Sequence, residues 1–213
     1  MARPPDRIRV KREPKRGHYD RETIDAILDE ALLCHLGFAI DGQPYVIPTL
    51  HARVGDTLYV HGSAASRMLR HLDAGAPVCA TVTLFDGLVL AKSVFNHSVN
   101  YRSAVVFGVA RSVPDEQKRA ALHTLTDRLA PGRWDEARQP TDQELKATWI
   151  LELPIDEASA KVRSGGPEDE PEDEDLPVWA GVVPVHLAAE PSEYRWRRVH
   201  DGRVGPPRLA SDA

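Results

Sequence analysis

The chain has 213 residues, 42% of them hydrophobic and 28% charged, with a formal net charge of -5 at pH 7. That composition excludes a disordered or fibrous chain. The lack of any apolar run long enough to span a bilayer excludes a helical membrane protein.

Residues 1–17, "MARPPDRIRVKREPKRG", form a basic arm without the apolar core of a secretory signal, so the expected location is cytoplasmic. No stacking aromatics or nucleic-acid module accompany the arm, and it reads as solvated or as touching an anionic cofactor. The first predicted helix is "DRETIDAILDEALL", with Asp20 as N-cap, Glu22 in the first turn, and Ile24, Ile27, Leu28, Ala31 and Leu32 at helical spacing. Strand signals follow, each around a two-residue turn: Asp41–Gly42, Gly55–Asp56 and Asp86–Gly87. "RSAVVFGVARSV" adds a β-branched strand.

Three such hairpins predict an antiparallel meander. Stretches apolar on both faces, Val78 to Leu84 and Ala104 to Phe107, point to a closed barrel packed against helices or a second subunit. A second helix is predicted through "DEQKRAALHTLTDRL", stopped near Gly132, and Thr141 with Glu144 forms a capping-box pattern. Strands "TWILELPI" and "VWAGVVPV" flank "SAKVRSGG" and an acidic loop, 165–177, that is too charged to pack. Residues 168–175 alone hold seven acids, and without them 25 acids face 27 Lys and Arg. The organisation is a basic arm (1–17), one domain (18–187) and a tail (188–213). The fold class is mainly β, a barrel with flanking helices. Cys34 and Cys79 lie in apolar segments without C-x-x-C spacing and read as buried thiols. No ligand spacing supports a metal site.

Two constellations carry chemistry. In "HGSAASR", Gly62 keeps a strand-to-helix corner thin, Ser63 and Ser66 supply hydroxyls, and Arg67 supplies a cation suited to phosphate. Taken alone, this corner reads first as an ordinary helix cap. In "SVFNHSVNYRS", polar Ser93, Asn96, His97, Ser98, Asn100, Tyr101, Arg102 and Ser103 gather where one strand ends and the next begins, as in a ligand rim.

The run from Tyr45 to Ala110 resembles the pyridoxamine 5′-phosphate oxidase-like flavoproteins with an FMN-binding split barrel of antiparallel Greek-key type. Within that group it is most similar to the branch containing nitroimidazole-resistance reductases. "IPT", "YVHGSAASR", "DGLVLAKS", "NHSVNYRS", "PGRW", "SAKVRSGGP" and "VWAGVVP" carry the likeness in order, over residues 8 to 187. The resemblance implies a homodimer with FMN at the subunit interface. It implies that the phosphate is gripped by Ser63 to Arg67 with Ser93 and Arg102, inside a rim of Asn100, Tyr101 and Ser103. Pro48, Thr49 and Leu50 then lie along the flavin ring, His61 stands near its reactive face, and Trp179 closes the site from the partner chain. The segment "EYRWRRVH" bears only a superficial likeness to the arginine- and histidine-bearing substrate segment of vitamin B6 oxidation. The functional expectation is an FMN-dependent oxidoreductase reducing a small organic acceptor, with NAD(P)H as electron donor and His61 as the catalytic proton carrier. The alternative is a binding or sensing protein that holds flavin, or haem in its place, on the histidine rim of His51, His61 and His97.

Overall fold

A computed structural model describes residues 4–188. In chain order these form β1 (Gly17–His18), α1 (Arg21–Glu30), β2 (Leu33–Ile40), β3 (Gln43–Val54), β4 (Thr57–Ser63), α2 (Arg67–Asp73), β5 (Pro77–Leu90), β6 (Ser98–Val109) and β7 (Arg111–Ser112). Then come α3 (Lys118–Leu129), α4 (Arg133–Glu136), α5 (Asp142–Ala147), β8 (Thr148–Pro154), β9 (Glu157–Arg163) and β10 (Gly181–Pro184). All strand pairs are antiparallel, in the order β1-β9-β6-β5-β2-β3-β4-β8-β7, with β10 added to β5. The ladder is a path with two ends, so the barrel is split, as the resemblance implied, and not closed as the two-sided apolar strands suggested.

The helical caps are those the sequence encodes. The Asp20 carboxylate accepts from Thr23 N at 2.8 Å, and Thr141 with Glu144 completes a capping box on α5. Hairpins form at Asp41–Gly42 and Gly55–Asp56, where Asp41, Gly42 and Gly55 all have positive φ. The third expected hairpin is absent. β5 runs straight through Asp86–Gly87, with only a bulge between Phe85 and Gly87. Gly87 serves close approach instead, since a Cβ there would meet the Val183 carbonyl at 2.8 Å as β10 comes alongside. The bulge turns Asp86 toward Arg102.

The main core lies inside the barrel, where Ile24, Ile27 and Leu28 of α1 meet Leu36, Leu58, Val82, Val106 and Leu153. A smaller core under α3 joins Ala121 and Leu125 to Ala52, Val113 and Ile150. The N-terminal arm is not simply solvated: Arg7 stacks on Phe107 and pairs with Glu157, and Val10 N donates to the Tyr19 hydroxyl. The acidic loop is also anchored, because the Asp169 carboxylate accepts from Lys92 N and Ser93 N, and Lys92 Nζ donates to Glu174 O. A carboxylate that finds two adjacent amides packs despite its charge. The expected tail and "EYRWRRVH" lie outside the described residues, apart from Ala188. Among the described residues no helix is long and apolar enough to cross a membrane.

Arg102 joins three elements, donating to Glu30 of α1 and to Asp86 of β5. The guanidinium holds the Glu30 carboxyl below its ordinary pKa, against a smaller opposing effect of burial. Replacing Arg102 by Met leaves two acids facing each other. The expected loss is about 1–2 kcal/mol, discounted for solvent at Glu30, read as a lower urea midpoint with unchanged slope.

Candidate functional site

β3 changes partners along its length, and that change opens the site. Residues 51–54 pair with β4, whereas residues 43–50 pair with β2 alone. β4 meanwhile continues through His61, Gly62 and Ser63 against β8. Beyond the His51–Val60 pair the two strands part, and among the described residues the edge of β3 from Gln43 to Leu50 has no ladder partner. His51 N donates to Leu32 O at 3.2 Å, on the β2 side. Alternation then directs the backbone groups of Pro44, Val46, Pro48 and Leu50 to the open side. Pro44 and Pro48 have no N–H to offer there, so Val46 and Leu50 supply the donors of this edge.

Facing the edge are the end of β4 and the start of α2. The corner satisfies most of its own polar groups. Ala64 N donates to Ala147 O, Ala65 N to Ser63 Oγ, Ser66 N to Ser63 O, and Leu69 N to Ser66 Oγ. Both serines therefore act as caps, and most of the expected amide cradle is spent internally. Arg67 is different. Its guanidinium lies 4.8 Å from the Tyr45 ring centroid, and among the described residues it makes no ion pair. Tyr45 stacks on Phe38 at 5.5 Å, which fixes the platform beneath the cation. Tyr45 was not singled out from sequence, because its only signal is an aromatic in a strand 22 residues before Arg67.

The rim histidines differ in what they can do. His51 is fully buried, with Nε2 donating to Leu28 O at 2.9 Å. His97 is exposed, and its Nδ1 accepts from Ala91 N at 3.3 Å. His61 alone of the three has both ring nitrogens uncommitted among the described residues, and its Nδ1 is buried without a partner. Burial lowers the pKa of His61, and burial is also the largest cause of lowering at His51. Both rings are then neutral at pH 7. Since the unfolded chain takes up protons near the ordinary histidine pKa of 6.5 while these rings resist, stability is full above that pH and falls below it. The melting temperature is expected to drop between pH 7.5 and 5.5, with a smaller drop in His51→Gln.

The second constellation sits elsewhere. β5 and β2 separate β6 from β3, placing Tyr101 and Ser103 on the order of 14 Å along the sheet from the split. Within one chain the two polar groups do not meet. Arg102, expected at the phosphate, is committed to Glu30 and Asp86. Asn100 bonds Gly165 O and Arg163, and the Ser93 hydroxyl accepts from Phe95 N. Trp179 is 63% exposed, with its ring against Gly181. Two surface hollows, under the N-terminal arm and between α3 and α5, include no residue of the split, which is an open face. Cys34 and Cys79 are free, and burial raises the Cys34 thiol to about 12.

The sequence profile described as pyridoxamine 5′-phosphate oxidase matches residues 20–162. The flavocytochrome Anf3 from Azotobacter vinelandii is 40% identical over 95% of this chain and 94% of its own, with a TM-score of 0.88. A FAD and heme binding protein from Mycobacterium smegmatis is 41% identical over 90% and 94%, with a TM-score of 0.82. A Bacteroides thetaiotaomicron protein named for 5-nitroimidazole antibiotic resistance is 24% identical over 68% and 86%, with a TM-score of 0.57, a likeness of fold. No curated protein matches.

Proposed function

The chain belongs to the pyridoxamine 5′-phosphate oxidase family, whose fold binds flavin, and we propose that this member is a redox protein carrying haem beside its flavin. The observation that carries the reading is the pair of roughly 40% identical relatives, one a flavocytochrome and the other a FAD and heme binder, each aligned over nine-tenths or more of this chain. The sequence led to FMN, with haem in its place as the alternative; these relatives favour both together. Uncommitted groups at the split fit the two cofactors. Among the described residues Arg67 is a cation without an anion, suited to a flavin phosphate, and His61 is an imidazole without a partner, suited to iron or to a proton.

When bound, a flavin supplies hydride or single-electron chemistry and a haem supplies single-electron transfer. The chain's own residues position and protonate. Val46 and Leu50 offer backbone N–H groups to the polar edge of a planar ring, while Thr49 and Ile47 flank them on β3. Neutral His61 can take a proton at either ring nitrogen.

A homodimer is part of the proposal. Leu33, Val46 and Phe85 are exposed on the outer sheet face, and a second copy laid there would bury them. It would also bring the polar start of β6, and exposed Trp179, toward the split of its partner. The runner-up is an FMN-dependent reductase of a small organic acceptor, with NAD(P)H as donor; the nitroimidazole-named structure supports its fold only.

The absorbance spectrum of the purified protein decides between these readings. Paired flavin bands together with a sharp Soret band are expected. Flavin bands alone, bleached by NAD(P)H and restored by a nitroimidazole, would leave the runner-up. A colourless protein that takes up neither cofactor defeats both.

A further inference from the structure

β6 and β9 carry four side chains in a two-by-two arrangement. Tyr101 lies opposite Arg163, and Ser103 lies opposite Lys161. Alternation puts Tyr101, Ser103 and Lys161 on the outer face, because Ala104, Val106, Ala158 and Ala160 of the same strands fill the core, and Arg163, the last residue of β9, has the same parity. Arg163 is only 8% exposed. Its Nη1 donates to Asn100 Oδ1 at 2.5 Å, and the Asn100 amide donates in turn to Gly165 O at 3.0 Å. That partner is neutral. Among the described residues neither Arg163 nor Lys161 has a carboxylate within 4 Å, and the acid on the same face of β9, Glu157, is paired with Arg7 at 3.2 Å.

A buried guanidinium is ordinarily matched by an opposite charge. Here a second cation, Lys161, stands two residues back along the same strand, with Cα positions about 7 Å apart by strand geometry. An oxyanion between them would answer both charges and accept from the tyrosine and serine hydroxyls. The Ser103 hydroxyl otherwise has only a 3.4 Å bond to Lys161 O. After Arg163 the chain turns through Gly165 at φ 107°, and the space beside Gly165 and Gly166 is open. Lys15 and Arg16 pack against β9 in a short 3-10 turn and add charge of the same sign.

We propose that Lys161, Arg163, Tyr101 and Ser103 form an anion site that takes a phosphate or carboxylate at the end of a cofactor's flexible arm. The proposal rests on the reading that the protein binds flavin or haem; where the oxyanion is a flavin phosphate this site is the alternative to Arg67 for it, and where it is a propionate the two sites serve different cofactors. Its shared chemistry is a charged oxyanion, from a flavin phosphate or a porphyrin propionate.

The test uses full-length Arg163→Gln and Lys161→Gln titrated with FMN, FAD, riboflavin, haem and haem dimethyl ester. A phosphate site predicts about 10-fold weaker FMN and FAD binding, the loss of one charge-assisted bond, with riboflavin within twofold. A propionate site predicts the same loss for haem, with the dimethyl ester within twofold. Unchanged affinity for every charged cofactor, or equal loss for charged and uncharged forms, overturns the proposal. Should Arg163→Gln not fold, Lys161→Gln carries the test through melting in inorganic phosphate, which is expected to stabilise the parent and not the variant. If the parent binds no cofactor, the functional reading fails and the phosphate melt alone decides: stabilisation lost in Lys161→Gln supports the site, and no stabilisation of the parent sinks it.

Discussion

Arg67→Ala is expected to weaken FMN or FAD binding by about 10- to 100-fold, the value of one charge-assisted contact. The reasoning is one of elimination. Five arginines or serines were legible in the sequence as phosphate donors, and the fold gives four of them other partners. Ser63 and Ser66 cap the turn, Ser93 accepts from Phe95 N, and Arg102 holds Glu30 and Asp86. Arg67 rests only on the Tyr45 ring, a contact that keeps the charge in place without neutralising it. Removing the guanidinium therefore breaks no ion pair among the described residues, and the variant should melt near the parent temperature. Fluorescence quenching of added flavin measures the effect. Parental affinity in Arg67→Ala would remove this residue from the site.

His61→Ala is expected to abolish haem uptake, seen as a missing Soret band, while flavin affinity stays within twofold. Of the three rim histidines, His51 is bound inside the core and His97 already accepts a backbone N–H, so one imidazole is left to ligate. Desolvation favours its neutral form, which is the form a metal ion takes. If the variant keeps haem but reduces its acceptor about 100-fold more slowly, His61 moves protons instead. No change in either measurement would leave it without a functional role.

Much of the scaffold was legible because local chemistry decided it. Asp20 and Thr141 cap their helices through bonds spanning three residues, and the Asp41–Gly42 turn needs only positive φ at both positions. Asp86–Gly87 carries the same letters and makes no turn, since its geometry is set by β10, nearly a hundred residues later. The acidic loop misled for a similar reason: composition gives its charge but not the two amides waiting for Asp169. At the site, the sequence marked the corner and the rim as two groups of polar residues. Whether they face one another depends on strand order, which no spacing along the chain reports. Tyr45, Lys161 and Arg163 were invisible as site residues for the same reason, being paired only across strands.

The two prolines on the open edge of β3 have a consequence for the protein before it acquires any cofactor. A bare strand edge is where one chain can zip onto another, and a newly made copy exposes this edge while it waits to be loaded. With Pro44 and Pro48 at alternate outward positions, an incoming strand finds two of every four hydrogen-bond donors missing and cannot build a continuous ladder. A flat ring, which needs only one or two donors, is not hindered. The edge thus stays open to a small molecule while remaining closed to fibre growth.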